Sequence, residues 1–540
     1  MKKTKAIILG IDGADPIIIN NLIKKNLLPN FSKIKKDGIL TELLSTLPPT
    51  TYPAWTSFFT GAEPSFHGVT DFTVKQGYKI KFTNTQRREL LTIFEHLENN
   101  NLTTSAAWFP AMYPPLKTNG YQISGWDSPV TSNGDSSFVY PHELHKTLSN
   151  LFSDIHLKFD PIDEFSNSEK WYEEASKSLI SRINRRGEMA LWLLKNRPVD
   201  VASFYFGETD TAAHHFYAFY DDNSPRRPDN VSKILKETIE NVYIEMDKVI
   251  GNIISASDNA PIFILSDHGS MGNSDHAVFL NRFLHKAGLL NFKKQNFSFE
   301  YLPSRNNAAK LIPKKIRRKI FNAFGGLFPT LYESVKRFSS IDFKTTQAFS
   351  EEIPYAPSIW INQLGREPKG LVPFSKRDEI YKKLLIASTS FKFSDNTSII
   401  KKIHRREDIH KGPYAHLFPD FILELNLKDG FLPVCQNSNT KTAPLFERLD
   451  SNFLLGRKGT SMPGGHSSKG IFASTIKNIA DKNELLKIHQ TANIICKALN
   501  IPLLNKNLNT IINKKNSQSL SKKEQRAVAD RLKRLGYLDL

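Results

Sequence analysis

Ala6-Ile7-Ile8-Leu9-Gly10-Ile11-Asp12-Gly13-Ala14-Asp15-Pro16 decides the fold: an uninterrupted apolar run ends in an acidic, glycine-bearing turn. A short run without polar interruption suits a strand covered on both faces of a parallel sheet. A helical pattern follows through Leu22 and Ile23. The same apolar signature returns at Val201–Phe206 and Pro261–Leu265, the latter running into Ser266-Asp267-His268-Gly269. Helical periodicity over 168–197 and 229–256 precedes these two strands. Helix then strand, repeated, predicts an α/β fold with a largely parallel sheet. Sites in such sheets form beyond the carboxyl ends of strands, and Asp12, Asp210, Asp267 and His268 all fall just past such ends.

Asp210 and His214 stand four apart and converge on one cation if that segment turns helically. His215 is set aside on spacing, and Asp275-His276 because neither a strand precedes it nor a glycine follows it. Gly464-Gly465-His466 is a glycine turn before the short apolar run Ile471–Ala473, and glycine allows the close backbone approach a ligand needs. Thr51 lies in Pro48-Pro49-Thr50-Thr51-Tyr52-Pro53-Ala54-Trp55, ahead of a helical run to Thr60-Gly61. Its hydroxyl either caps that helix or sits where free N–H groups hold an anion and a metal ionises it. Glu208 and Lys469 flank ligand candidates and read as solvated side chains.

The bulk properties are permissive. With 540 residues, 40% hydrophobic and 24% charged, the chain has material for a sizeable core. Lys and Arg number 73 against 54 Asp and Glu, a formal +19. That favours anionic partners, or reflects a coding bias towards lysine and asparagine. Two cysteines give no disulfide framework, and Ala6–Ile11 is too short for a signal-peptide core after Met1–Lys5. No run reaches the roughly eighteen apolar residues of a membrane span, so a cytoplasmic location is expected. Lys310, Lys314, Lys315, Arg317, Arg318 and Lys319 alternate with Leu311, Ile312, Ile316, Ile320 and Phe321, which predicts a basic amphipathic helix from near Pro313. It reads as a cap with a solvated face, or as a contact for a membrane surface or anionic polymer. The expected division is a discontinuous core at 1–290 and 346–505, a basic insert at 291–345, and a polar tail at 506–540. The tail carries a short helix boxed by Ser521 and Glu524 and closed by Gly536.

These residues resemble the alkaline phosphatase superfamily, within it the branch of type I phosphodiesterases and nucleotide pyrophosphatases and the phosphohydrolases or phosphomutases beside them. The resemblance rests on Leu9–Gly13, Pro53–Ser57 with Thr60-Gly61 and His67-Gly68, Ser266–Gly269, Ile361–Gly370, Phe418-Pro419-Asp420 and Arg534–Tyr537. It implies a mostly parallel central sheet with helices on both faces and inserted cap segments. It also implies two divalent metal ions, Zn or else Mn. Asp210, His214 and His466 would hold one, Asp12, Asp267 and His268 the other, with Thr51 beside the second. Two such cations stabilise the attacking and leaving oxygens of an in-line displacement. The implied activity is a phosphoester hydrolase acting on a phosphorylated small molecule through a phospho-threonine that water hydrolyses. The same intermediate serves a phosphotransferase or phosphomutase, and the scaffold also serves a non-catalytic anion-binding protein. Thr51-Tyr52-Pro53-Ala54-Trp55 lacks the Cys or Ser and the Arg that sulfatases carry. Phe72 stands where nucleotide pyrophosphatases place an asparagine on a phosphate oxygen, a role that Thr70, Asp71 or Lys75 nearby could take instead. The aromatic, proline-rich stretch Trp108–Pro115 either walls a substrate pocket or packs under a loop. Oligomeric state and physiological substrate are left open.

Overall fold

The computed structural model describes residues 3–82, 88, 90–126, 136–152, 166–293, 334–438, 444–450, 454–456, 462–481 and 484–505. The basic helix expected near Pro313 and the terminal helix expected after Ser521 lie outside these residues. Along the chain come β1 (Ala6–Ile11), α1 (Pro16–Lys24), β2 (Ile39–Leu44), α2 (Thr51–Thr60), β3 (Ser105–Ala107), β4 (Tyr121–Ile123) and β5 (Val139–Tyr140). Then follow α3 (Glu169–Asn196), β6 (Val201–Phe206), α4 (Glu208–Tyr220), α5 (Lys233–Ala256), β7 (Ile262–Leu265) and β8 (Gly269–Val278). A second layer holds β9 (Ala348–Phe349), β10 (Ser358–Ile361), β11 (Ile400–Arg405) and β12 (Phe421–Leu425). The chain returns through β13 (Gly464–Ser467), β14 (Lys469–Ser474), β15 (Leu486–Lys487) and α6 (Ile488–Ala498).

Among the described residues the main sheet has the order β15-β2-β14-β7-β1-β6-β3-β4-β5. β1 is buried at every position and has parallel neighbours on both sides, β6 and β7. Ile11 pairs with Phe206 and Gly10 with Leu265, so the three central strands finish level with one another. Only β5 and β14 run against the rest. Because β14 is reversed, it begins at the edge where its neighbours end, and the residues just before it reach the same rim.

The long helices follow from their spacing. α5 buries Leu235, Ile239, Val242, Met246, Val249, Ile250 and Ile253, one apolar stripe at intervals of three and four. It packs on α3 and α4, while α2 packs on α6. One hydrophobic core gathers around the main sheet, with Leu9, Trp55, Phe109 and Phe204 inside it. A separate one, with Phe283, Phe349, Trp360 and Phe421, belongs to the antiparallel β9-β10-β12-β11 sheet. Among the described residues no helix is long and apolar enough to cross a membrane.

Candidate metal centre

All seven expected residues converge on the rim where β6, β1 and β7 end. Asp12 leaves β1 into Gly13, whose φ is +64°. A Cβ on Gly13 would lie 2.9 Å from both Cα and Cβ of Asp210, so glycine lets the exit turn of β1 press against the first turn of α4. Asp210 and His214 occupy successive turns of α4, and Asp267-His268 follow β7 directly. His466 arrives on β13, paired antiparallel to β8 with Ser270 opposite it.

Two clusters result. In one, His214 Nε2 lies 3.1 Å from Asp210 Oδ1 and 3.0 Å from His466 Nε2, while His466 Nε2 lies 3.5 Å from Asp210 Oδ1. In the other, His268 Nε2 lies 3.4 Å from Asp12 Oδ1 and 3.2 Å from Asp267 Oδ2. Each set offers three ligand atoms within 4.8 Å of one another.

The tautomers fit metal binding. Backbone carbonyls of Gly464, Pro49 and Gly269 lie 2.8, 2.7 and 2.9 Å from Nδ1 of His214, His466 and His268. Each ring therefore donates through Nδ1 and turns the lone pair of Nε2 into its cluster, as metal-binding histidines do. Two such lone pairs 3.0 Å apart repel unless a cation lies between them and the carboxylate.

The carboxylates carry the same message. Tyr205 donates its hydroxyl to Asp12 Oδ2 at 2.6 Å and Trp55 its indole N–H at 3.1 Å. Gly13 N donates to Asp267 Oδ1 at 3.2 Å. The remaining oxygens, Asp12 Oδ1 and Asp267 Oδ2, are buried and have no hydrogen-bond partner. Such oxygens are costly to leave unmet, and a divalent cation satisfies them. Burial, then Asp210, raises Asp12 to about 6, and burial, then Asp12, drives Asp267 well above its ordinary value. Burial, followed by His466, holds His268 well below the usual imidazole range. Asp12 and Asp267, with the neutral His268 ring beside them, lack the positive charge that would let them ionise.

Thr51 is the first residue of α2, with Thr50 as the flanking residue, so the helix-capping role considered for Thr51 does not apply. No side-chain cap hydrogen bond closes the start of α2, an end of a helix that favours an anion. Thr51 Oγ1 lies 3.4 Å from His268 Nε2.

Other expectations need correction. Glu208 is not solvated: it is buried, 2.5 Å from Arg186 Nη1 and 3.6 Å from Arg182 Nε. Lys469 is the solvated one, at the surface 2.6 Å from Glu42. Asp275 and His276 do lie on a strand, β8, but Arg448 engages Asp275 away from either cluster. The His215 ring packs edge-on against Trp171. Trp108, Phe109, Met112 and Tyr113 are core side chains, as the packing alternative for that stretch has it. Phe72 is buried against Tyr52, ring centroids 4.2 Å apart. Lys75 is tied to Glu367 at 2.7 Å. Asp71, raised to about 6 by burial, accepts from Tyr355 and from its neighbour's N–H. A cavity of about 50 Å³ beside Thr50 is lined by Thr70, Asp71, Lys75 and Trp360.

Tyr205, Trp55 and Arg186 belong to the site's surroundings yet were not anticipated. The first two lie inside apolar stretches of a strand and a helix, where an aromatic residue reads as core.

The chain matches the family model described as type I phosphodiesterase / nucleotide pyrophosphatase over residues 6–428. Similar solved structures include a phosphonoacetate hydrolase from Sinorhizobium meliloti 1021 in complex with phosphonoacetate. That pair shares 12% identity at a TM-score of 0.53, covering 92% of this chain and 95% of that one. Murine ectonucleotide pyrophosphatase / phosphodiesterase 5 shares 14% identity at a TM-score of 0.44, covering 93% and 96%. No curated protein matches the chain in sequence.

Proposed function

We infer, because this chain belongs to the type I phosphodiesterase / nucleotide pyrophosphatase family of the alkaline phosphatase superfamily, that this phosphoesterase is a two-metal enzyme with Thr51 as nucleophile. The observation that carries the reading is the pair of three-residue clusters, each with buried carboxylate and Nε2 atoms facing inward. Asp210, His214 and His466 would hold one divalent cation, and Asp12, Asp267 and His268 the other. Zinc suits the mixed imidazole and carboxylate set, with manganese as the alternative. When bound, the cations supply positive charge that favours an ionised threonine hydroxyl and stabilises the oxygens around phosphorus.

The protein's own part is placement. Thr51 Oγ is held at the start of a helix, the end whose dipole favours an incoming phosphoryl oxygen. The hydroxyl proton passes to solvent, Oγ attack forms a P–O bond while the ester bond to the leaving alcohol breaks, and the alkoxide takes a proton from solvent. Water then attacks phosphorus, the Thr51–phosphorus bond breaks, and the hydroxyl recovers its proton. The substrate is a phosphorylated small molecule, in this reading a phosphodiester. Cytoplasmic placement belongs to the same reading, supported by Cys435 and Cys496 as buried free thiols.

The test is hydrolysis of bis-p-nitrophenyl phosphate and p-nitrophenyl phosphate by the Zn- or Mn-loaded protein, with acceptor alcohols present. Free phosphate or phosphomonoester as product supports the reading. Phosphorylated acceptor as the main product would make the enzyme a transferase, and no turnover of either ester would refute it.

A further inference from the structure

The two clusters differ in what stands behind their carboxylates. Trp126 Nε1 lies 3.2 Å from the Tyr205 hydroxyl, which lies 2.6 Å from Asp12 Oδ2. The indole donates to the phenol oxygen and the phenol donates to the carboxylate, so the first bond polarises the second. Trp55 adds a second direct donor to the same Oδ2, its indole N–H 3.1 Å away. Both direct donors sit on Oδ2, which leaves Oδ1 as the one unmet oxygen of Asp12. Asp267, by contrast, has a single backbone N–H on its occupied oxygen, at 3.2 Å.

The placement of Trp55 is built into β1. A Cβ on Gly10 would come within 2.7 Å of the Trp55 ring and 2.6 Å of Phe109. Glycine two residues before Asp12 is what lets the indole lie across the strand and reach the carboxylate.

We propose that Trp126 and Tyr205, with Trp55, form a relay of positioning residues that fixes Asp12 as a one-oxygen ligand and so sets the affinity of the Thr51-side cation site alone. The proposal rests on the two-metal reading. A carboxylate free to swing can bind a cation through either or both oxygens; one whose Oδ2 carries two neutral donors presents Oδ1. Outer hydrogen-bond partners of this sort act on metal affinity on the order of ten- to a hundredfold.

The experiment is metal binding by the full chain, stripped with chelator and titrated with Zn²⁺ against a chromophoric competitor. The absorption of the Co²⁺-loaded protein is recorded in parallel. Tyr205→Phe is expected to weaken one of two metal equivalents by on the order of tenfold or more and to change the Co²⁺ spectrum of that equivalent. Trp126→Phe should weaken the same equivalent by less. Added to Tyr205→Phe, it should have no further effect, since it acts through the phenol. If Tyr205→Phe does not fold, Trp126→Phe carries the test, because Trp126 is only half-buried. Equal weakening of both equivalents, unchanged affinities, or independent effects of the two substitutions would overturn the proposal. A wild-type chain that binds no metal would instead bring down the two-metal reading beneath it.

Discussion

The rings of His268 and His466 lie face to face, centroids 3.7 Å apart and 18° from parallel. Each belongs to a different cluster, so the two candidate cation sites share a wall a single ring pair thick. Two imidazolium ions could not stack at that distance. Neutral rings can, and neutral rings are what bind metal.

The first prediction concerns metal removal and pH. Burial, with Asp210 beside it, raises Asp12 from 3.8 to about 6. Its folded value lies above its unfolded one, so its contribution to stability is present below 3.8 and lost as pH rises through about 6. The loss is about 3 kcal/mol. Asp267 shifts in the same direction. Thermal melts of the chelated protein should therefore show Asp12→Asn gaining on wild type between about pH 4 and pH 7. Zn²⁺ should raise the wild-type melting temperature at the upper end. A parallel pH dependence in the two chelated proteins would refute the assignment.

Thr51→Ala should lower turnover of p-nitrophenyl esters by about a thousandfold or more, while metal stoichiometry stays at the wild-type value. Thr51→Ser, which keeps the hydroxyl, should retain measurable activity. Equal turnover by Thr51→Ala and wild type would remove Thr51 as the nucleophile.

Gly13→Ala meets two penalties at once, the positive φ of +64° and a contact of 2.9 Å with Asp210. Destabilisation of about 1–3 kcal/mol is expected, with weakened binding at both clusters because Gly13 N also serves Asp267. Chemical denaturation and metal titration check the two parts separately.

Glu208→Ala should cost about 3–5 kcal/mol, because it removes the carboxylate from two buried guanidinium groups. Glu208 starts α4, two residues before Asp210, so metal affinity should fall with stability. A melting temperature within a degree or so of wild type would show that the pair contributes little.

Much of the site was legible because parallel sheets announce their ends. Apolar runs at Ala6–Ile11 and Val201–Phe206 end in polar turns, and that transition marks the rim where Asp12 and Asp210 meet. The helix bounds expected at 168–197 and 229–256 fall close to the observed Glu169–Asn196 and Lys233–Ala256, since long amphipathic stripes are hard to misread. What failed was anything that depends on a distant partner. Glu208 is charged and beside a turn, which reads as solvated until Arg186 is seen against it. Tyr205 alternates within a buried strand and gives no local sign that its hydroxyl reaches Asp12. Asp275 lacks an apolar approach because β8 is a long strand whose neighbours β13 and Leu432–Cys435 come from far along the chain.

The reversed strand β14 has a consequence in time as well as space. It lies between β2 and β7, and β13 just ahead of it carries His466 to Asp210 and His214 from a part of the chain beyond the whole second layer. During synthesis the first four hundred or so residues can form β6, β1 and β7 and bring five of the six ligands together, yet one cluster lacks its third member. In the two-metal reading, hydrolysis is therefore expected only of chains that include β13 and β14.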